Sequence, residues 1–309
     1  MLQFLLKTRL IALSVLLLAA CASSPPKKIS LPPAQNLLAE TDDLAMVADM
    51  AMQMAGLYSK NDVLVVLDID NTLLAMEQGL GSDQWYYWQK SLAEDDPCSG
   101  KLVNGRFAVQ GAIFFASAMR PTQPDAAEQV ERMQDAGLAV IALTSRGTEY
   151  RLQTFRELRR NGFSFWSSAL PPQAGFAEDF VPQGGERPAR YEEGVFLTSG
   201  QDKGDMLKAL LARTGTAPPR VIIMADDKQS NLDDVMRAFA GSDTAVHAWR
   251  YSREDDIVAA FDAQEAAADW NAVKPALIKI ERIFGPDNFD LPPDVIKEGC
   301  GVMPESIDR

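Results

Sequence analysis

Asp68 and Asp70 stand two residues apart, directly after the aliphatic run of residues 63–67 in "VLVVLDIDNTLLAM". So apolar a run reads as a buried strand, and its end delivers both carboxylates to the same spot. Their repulsion calls for a cation between them. Two further aliphatic runs end in polar residues. Residues 138–143 lead into Thr144-Ser145-Arg146-Gly147, and residues 221–225 into Asp226-Asp227. Lys203 follows "TSGQD" at the start of a helical segment. Several carboxylates around one point stay ionised only beside a divalent cation. An all-oxygen set without histidine suits Mg²⁺. Lys203, the Thr144 hydroxyl and free N–H groups at a strand-to-helix turn complete a set that fits a phosphoryl group. A carboxylate beside the metal can serve as nucleophile.

The elements that must position these groups follow from periodicity. Residues 36–58 carry apolar positions at helical spacing, with a methionine stripe read as core packing. Residues 77–120 are aromatic and irregular and look like an inserted cap or active-site wall. Residues 124–136 read as a helix closed by Gly137, and 148–161 as a helix closed by Gly162. Residues 163–200 hold proline and glycine clusters and a hairpin through Gly194. Helices are expected from Lys203 to Arg213 and over 231–240, then a strand near 244–249, then two helices over 254–269 and 271–283. Strands alternating with helices imply an α/β fold, a parallel sheet with helices on both faces. In such sheets ligands bind outside the carboxyl ends of the strands. Asp68 and Asp70, Thr144 and Ser145, and Asp226 and Asp227 therefore converge on one crevice.

Composition removes several alternatives. The chain of 309 residues has one histidine, His247, and a net charge of −13. A single histidine excludes histidine-rich zinc hydrolases, Ser-His-Asp hydrolases and phosphohistidine phosphatases. His247 itself, in "TAVHAWRY", reads as a strand residue near the surface rather than a catalyst. The acidic balance argues against nucleic acid or anionic lipid as a partner. Lys7 and Arg9, an apolar run over 10–18 and Leu18-Ala19-Ala20-Cys21 form an export signal. The last four residues resemble a bacterial lipobox. That resemblance implies a signal peptide over 1–20, lipidation of Cys21 and a membrane anchor there. Ala22 after Cys21 favours the outer membrane, facing the periplasm. A Ser- and Pro-rich tether fills 21–35. Cys98 and Cys300 can pair in an oxidising compartment, the alternative being two separate thiols.

The four polar segments resemble, in order and spacing, the four motifs of the haloacid dehalogenase superfamily. The motifs are Asp68-Ile69-Asp70-Asn71-Thr72, "VIALTSR", Lys203 and "VIIMADDKQSN". The match covers roughly residues 60–250. Within the superfamily the chain is similar to a bacterial family that pairs "GSDQW" with "ALTSRG" and "ADDKQSNL". The resemblance implies a Rossmann-like core over 36–285 with insertions at about 76–120 and 163–200, and a C-terminal tail over 286–309. It implies Asp68 as nucleophile forming an aspartyl-phosphate, and Asp70 as general acid and then base. Thr144, Ser145 and Lys203 would hold the phosphoryl group. Mg²⁺ would be bound by Asp68, the backbone of Asp70, and Asp227 or Asp226, with Asn231 in support. The expected activity is a Mg²⁺-dependent phosphohydrolase of small phosphomonoesters, lipid-anchored in the envelope. The alternative is a binding or scaffold lipoprotein on the same fold. The cluster Trp85-Tyr86-Tyr87-Trp88 can be the packed core of the cap, or can stack on the leaving group.

Overall fold

The computed structural model describes residues 33–92 and 106–284. Cys21, Cys98 and Cys300 lie outside the described residues. The elements run β1 (Leu37–Thr41), α1 (Leu44–Leu57), β2 (Val63–Leu67), β3 (Leu74–Met76), α2 (Asp83–Ser91), α3 (Arg106–Ala116), β4 (Met119–Pro121) and α4 (Ala126–Asp135). They continue with β5 (Ala139–Thr144), α5 (Arg151–Arg160), β6 (Arg190–Glu192), β7 (Val195–Leu197), α6 (Lys203–Thr214), β8 (Val221–Asp226), α7 (Gln229–Ala238), β9 (Ala245–Tyr251), α8 (Asp255–Ala259) and α9 (Ala263–Phe284).

Seven strands form one sheet in the order β1-β9-β8-β2-β5-β7-β6, parallel except for β6. This is a mixed α/β, Rossmann-like fold. Strands β2, β5 and β8 are aliphatic and buried on both faces, as central parallel strands must be. Alternate residues point to opposite faces. Val63, Val65, Leu67, Val140, Ala142, Val221 and Ile223 pack with α1, α4 and α5 on one face. Leu64, Val66, Ile141, Leu143, Ile222 and Met224 pack with α6 and α7 on the other. Register then decides where the site lies. Leu67 pairs with both Ala142 and Ala225, so the three strands run out at the same level.

Four expectations are corrected. Residues 36–58 are not one helix. Residues 37–41 alternate in exposure and add to the sheet beside β9, and Asp43 caps α1 by accepting from the Ala45 N–H at 2.9 Å. Over its described residues, 77–92 and 106–120, the wall is not irregular. It carries α2 and α3 above an antiparallel β3–β4 pair, and the Ser82 hydroxyl caps α2 at the Trp85 N–H, 3.1 Å. Trp85 and Trp88, one helical turn apart, turn inward with Val109, Ile113 and Trp270 of α9 to give this layer its own core. The helical stretch after β9 breaks at 260–262 rather than near 270. There Asp262 accepts from the N–H groups of Gln264 and Glu265, and α9 then runs on through Pro275. His247 stands in β9 but is buried, its ring Nε2 3.1 Å from the Gln35 carbonyl.

The hairpin through Gly194 joins β6 to β7. Glu193 and Gly194 both have positive φ, +46° and +79°, as a two-residue turn between antiparallel strands needs. Among the described residues no helix is long and apolar enough to cross a membrane.

Candidate active site

At the carboxyl end of β2 the chain turns sharply through Asn71, whose φ is +58°, a conformation asparagine tolerates. The turn is closed by the Asn71 N–H donating to the Leu74 carbonyl at 2.9 Å. Asp68 is left buried at the strand end, its own N–H bonded to the Ala225 carbonyl of β8. Its Oδ1 accepts from Lys203 Nζ at 2.5 Å, and its Oδ2 from the Thr72 hydroxyl at 3.4 Å.

Lys203 is the first residue of α6 and is 1 % exposed. Asp202 fixes that helix start by accepting from the Asp205 N–H. Nζ also donates to Asp226 Oδ2 at 2.7 Å, so one ammonium joins the ends of two strands. Burial pulls the Lys203 pKa down, but Asp226 and Asp68 outweigh it and hold it above the usual range. Asp226 Oδ1 accepts from Asn231 Nδ2 at 2.8 Å and from the Lys228 N–H at 2.9 Å.

Asp68, Asp226 and Asp227 each place a carboxylate oxygen within 4.8 Å of the others. Burial pushes Asp68 up to about 7, Lys203 opposing and Asp226 and Asp70 adding to the rise. Asp227 is raised well above the carboxylate range by burial, against Lys228 and with Asp226. Asn71 Nδ2 donates to it across a long 3.5 Å. Lys203 thus bridges two of the three carboxylates, Asp68 and Asp226, and ionising all three leaves a negative excess. The donors are oxygens alone, and a small divalent ion such as Mg²⁺ fits both the excess and the donor type.

Asp70 sits apart from that trio. Arg146 forks it, Nε donating to Oδ2 at 2.9 Å and Nη2 to Oδ1 at 2.7 Å. The guanidinium is itself fixed by the Thr154 hydroxyl at 2.9 Å and lies 4.5 Å over the Phe114 ring of α3. Burial pushes the Asp70 carboxyl up, but the Arg146 charge and hydrogen bonds prevail and hold it below its ordinary value. Thr144 is fully buried at the end of β5, its hydroxyl accepting from the Arg146 N–H at 3.2 Å. Ser145 is exposed and lines a cavity of about 540 Å³.

That cavity opens from Asp70 and Arg146 toward α2 and α3, past Met76, Tyr86, Tyr87 and Phe114. Lys228, just after the acidic pair on β8, reaches across to α2. Its Nζ bonds Asp83 Oδ2 at 2.7 Å and lies 3.8 Å over the Tyr87 ring. The aromatic cluster divides in two. Trp85 and Trp88 are core, whereas Tyr86 and Tyr87 face the cavity.

All the described positions expected from the sequence gather here, the three cysteines lying outside the described residues. Arg146, Lys228 and Asp83 join them unexpectedly. Each lies inside a segment that the motifs mark, "ALTSRG", "ADDKQSNL" and "GSDQW", and for Arg146 and Lys228 a charged residue just past a buried strand was the available signal.

A family model described as "Protein of unknown function (DUF2608)" matches residues 41–281, most of the chain, and the chain belongs to that family. No curated protein and no solved structure matches it.

Proposed function

We propose that this member of the family is a Mg²⁺-dependent phosphohydrolase of small phosphomonoesters, with Asp68 as nucleophile. One observation carries the reading. Lys203 Nζ bridges Asp68 and Asp226 at the mouth of two adjacent parallel strands, with Asp227 completing a trio of oxygen donors. Together with Thr144 and Lys203 the trio gives the arrangement that the resemblance to haloacid dehalogenases implies.

Asp68, Asp227 and Asp226 would hold the ion, which when bound neutralises charge on the phosphoryl oxygens. Lys203 keeps Asp68 oriented and offsets its charge as phosphate approaches. Asp68 attacks phosphorus and the ester oxygen leaves with its electron pair. Water then opens the aspartyl-phosphate, with Asp70 beside it to orient the water and accept its proton. Tyr86 and Tyr87 enclose the leaving group. The lipobox-like leader supports an envelope location on a lipid anchor at Cys21.

One observation favours the second reading, a non-catalytic binding or scaffold lipoprotein. Asp70, the expected proton donor to the leaving group, is engaged by Arg146 on both oxygens. Hydrolysis of p-nitrophenyl phosphate separates the two. Turnover that requires Mg²⁺ and stops in EDTA supports the enzyme. Absence of turnover at any Mg²⁺ concentration, in protein shown to be folded, leaves the binding role.

A further inference from the structure

Four aspartates stand at the ends of β2 and β8, and only three of them come together. Asp68, Asp226 and Asp227 place carboxylate oxygens within 4.8 Å of one another, and Asp70 is not among them. Its backbone is anchored at the floor all the same. Asp70 leaves the same strand two residues after Asp68, and its bridge to Leu74 and the turn at Asn71 hold it there. Only the side chain has a choice of direction, and it turns to Arg146. Acids left to themselves beside a divalent cation collect around it, and each added carboxylate tightens the site. The separation of Asp70 therefore has to be enforced.

Arg146 is built to enforce it. Its side chain is 9 % exposed. Nε and Nη2 fork Asp70 at 2.9 and 2.7 Å, which fixes the plane of the carboxylate as well as its direction. Nη1 donates to the Thr154 hydroxyl at 2.9 Å, and that hydroxyl donates to the Tyr150 carbonyl at 2.8 Å. Nη2 also meets Met119 Sδ at 3.2 Å, and the Phe114 ring lies 4.5 Å from the guanidinium. The Arg146 backbone is pinned as well. Its N–H donates to the Thr144 hydroxyl, and its carbonyl accepts from the Ser199 N–H at 3.0 Å. A side chain with so many partners has one place to put its fork.

We propose that Arg146 is a positioning residue that holds the Asp70 carboxylate out of the coordination of the divalent ion. The assignment rests on the reading of Asp68, Asp226 and Asp227 as the ion site. A Mg²⁺ site keeps positions for water and for phosphate oxygens. A fourth carboxylate would fill one of them and turn the site toward Ca²⁺, which takes more oxygen ligands. The fork thereby keeps the ion open to a phosphoryl group.

Calorimetric titration of the metal-free protein with Mg²⁺ and with Ca²⁺ tests this without turnover. Arg146→Gln releases Asp70 and should tighten Ca²⁺ binding by about tenfold, and Mg²⁺ binding by less. Loss of the Arg146 charge also favours a cation, so the decisive measurement is a cycle with Asp70→Asn. Charges that stay in place act additively, whereas a carboxylate that has moved onto the ion does not. Asp70→Asn should therefore weaken Ca²⁺ binding about tenfold more in the Arg146→Gln chain than in the wild type. Mn²⁺ in the same site gives a second readout. Its effect on water proton relaxation counts the waters on the ion. Arg146→Gln should lower that count by about one, and Asp70→Asn should restore it. Arg146→Lys keeps the charge without the fork and takes the place of the glutamine variant if that does not fold. Equal costs of Asp70→Asn in the two backgrounds, or an unchanged Mn²⁺ water count, overturn the role of Arg146 and leave the trio as an ion site. Absence of binding of all three ions to the folded wild type overturns the ion site itself, and with it the Mg²⁺ dependence proposed for the enzyme.

Discussion

The charged floor of the site and the wall of the neighbouring cavity are built by different means. On the floor, the charged groups sit where three central strands end in register, and Asp68, Lys203 and Asp226 are each held more than once. Lys203 bonds Asp68 and Asp226, and Asp226 is held again by Asn231 and the Lys228 N–H. On the wall, α2 and α3 belong to a separate small core and meet the floor through long side chains. Lys228 reaches Asp83 and Tyr87, and Arg146 lies under Phe114. A group held by backbone ends and several partners has one position. A group reached across a cavity by a flexible side chain has a range of them. Changes to the floor should therefore abolish the chemistry, and changes to the wall should tune it.

The most severe test is Asp68→Asn. The amide keeps roughly the shape but removes the attacking charge, and phosphoryl transfer should fall by about 10⁴–10⁶-fold, as for loss of other catalytic nucleophiles. Retained turnover would move the nucleophile elsewhere. Asp70→Asn should cost less, about 10²–10⁴-fold in steady-state rate. It leaves the nucleophile, and p-nitrophenolate needs no proton to depart. Rapid-quench measurements should find a burst of p-nitrophenol and then a stall, whereas Asp68→Asn gives no burst. A burst from Asp68→Asn would break the distinction between the two carboxylates.

The crowding of charge on the floor has a pH signature. The Asp68 pKa is about 7 in the folded chain against an ordinary 3.8. Between those values the folded state binds more protons than the unfolded one, so metal-free stability falls as pH rises through that window. Asp227 acts in the same direction. Asp70, with its lowered pKa, works oppositely, but its contribution is lost only below about pH 4. The Asp68 effect has a ceiling of roughly 4 kcal/mol at 1.36 kcal/mol per unit. Mg²⁺ binds the ionised carboxylates and should raise the melting temperature more at pH 7.5 than at pH 5. Denaturation scans across that range, in EDTA and in Mg²⁺, measure both trends. A flat metal-free profile would mean that the floor carries no such strain.

Gly204 tests how firmly the floor is seated. A Cβ there would come 2.3 Å from the Asp234 carbonyl oxygen and 2.7 Å from the Ala238 methyl of α7. Only glycine lets α6 approach α7 closely enough to hold Lys203 between its two carboxylates. Gly204→Ala should destabilise the protein by about 1–3 kcal/mol and lower kcat as Lys203 shifts. Unchanged stability would show that α6 can move without disturbing the site.

The same contrast explains what the sequence made legible. Residues 63–67, 139–144 and 221–226 declare themselves as buried parallel strands by aliphatic composition alone, and their polar ends mark the crevice. Gly137, Gly162 and Gly194 mark their turns because the backbone there needs positive φ. Residues 37–41 were hidden because five residues of an edge strand carry too few alternations to outvote the helical spacing that follows. Residues 83–91 were hidden because a run of adjacent aromatics obscures which of them face inward. Lys228 and Arg146 were visible as residues but not as partners. Nothing local says that a side chain after β8 will meet one on α2, because that meeting depends on the packing of α2, α3 and α9 together.

The mildest expected effect comes from the bridge between wall and floor. Asp83 and Lys228 are only 22 % and 17 % exposed, but asparagine keeps an oxygen that can accept from Lys228 Nζ, and Lys228 keeps the Tyr87 ring as a second partner. Asp83→Asn should therefore cost only about 1–2 kcal/mol of stability. Its consequence for catalysis is more specific. Asp83 stands in the first turn of α2, three and four residues before Tyr86 and Tyr87, so loosening it lets both rings drift from the cavity. The nucleophile, Lys203 and the acidic trio are untouched. KM for an aryl phosphate should rise a few-fold while kcat stays within about twofold, because ring packing serves the ground state and the transition state alike. A fall in kcat at constant KM would instead place Asp83 and Lys228 with the floor. The Asp227 carboxylate next to Lys228 would then be the group that the bridge holds in position.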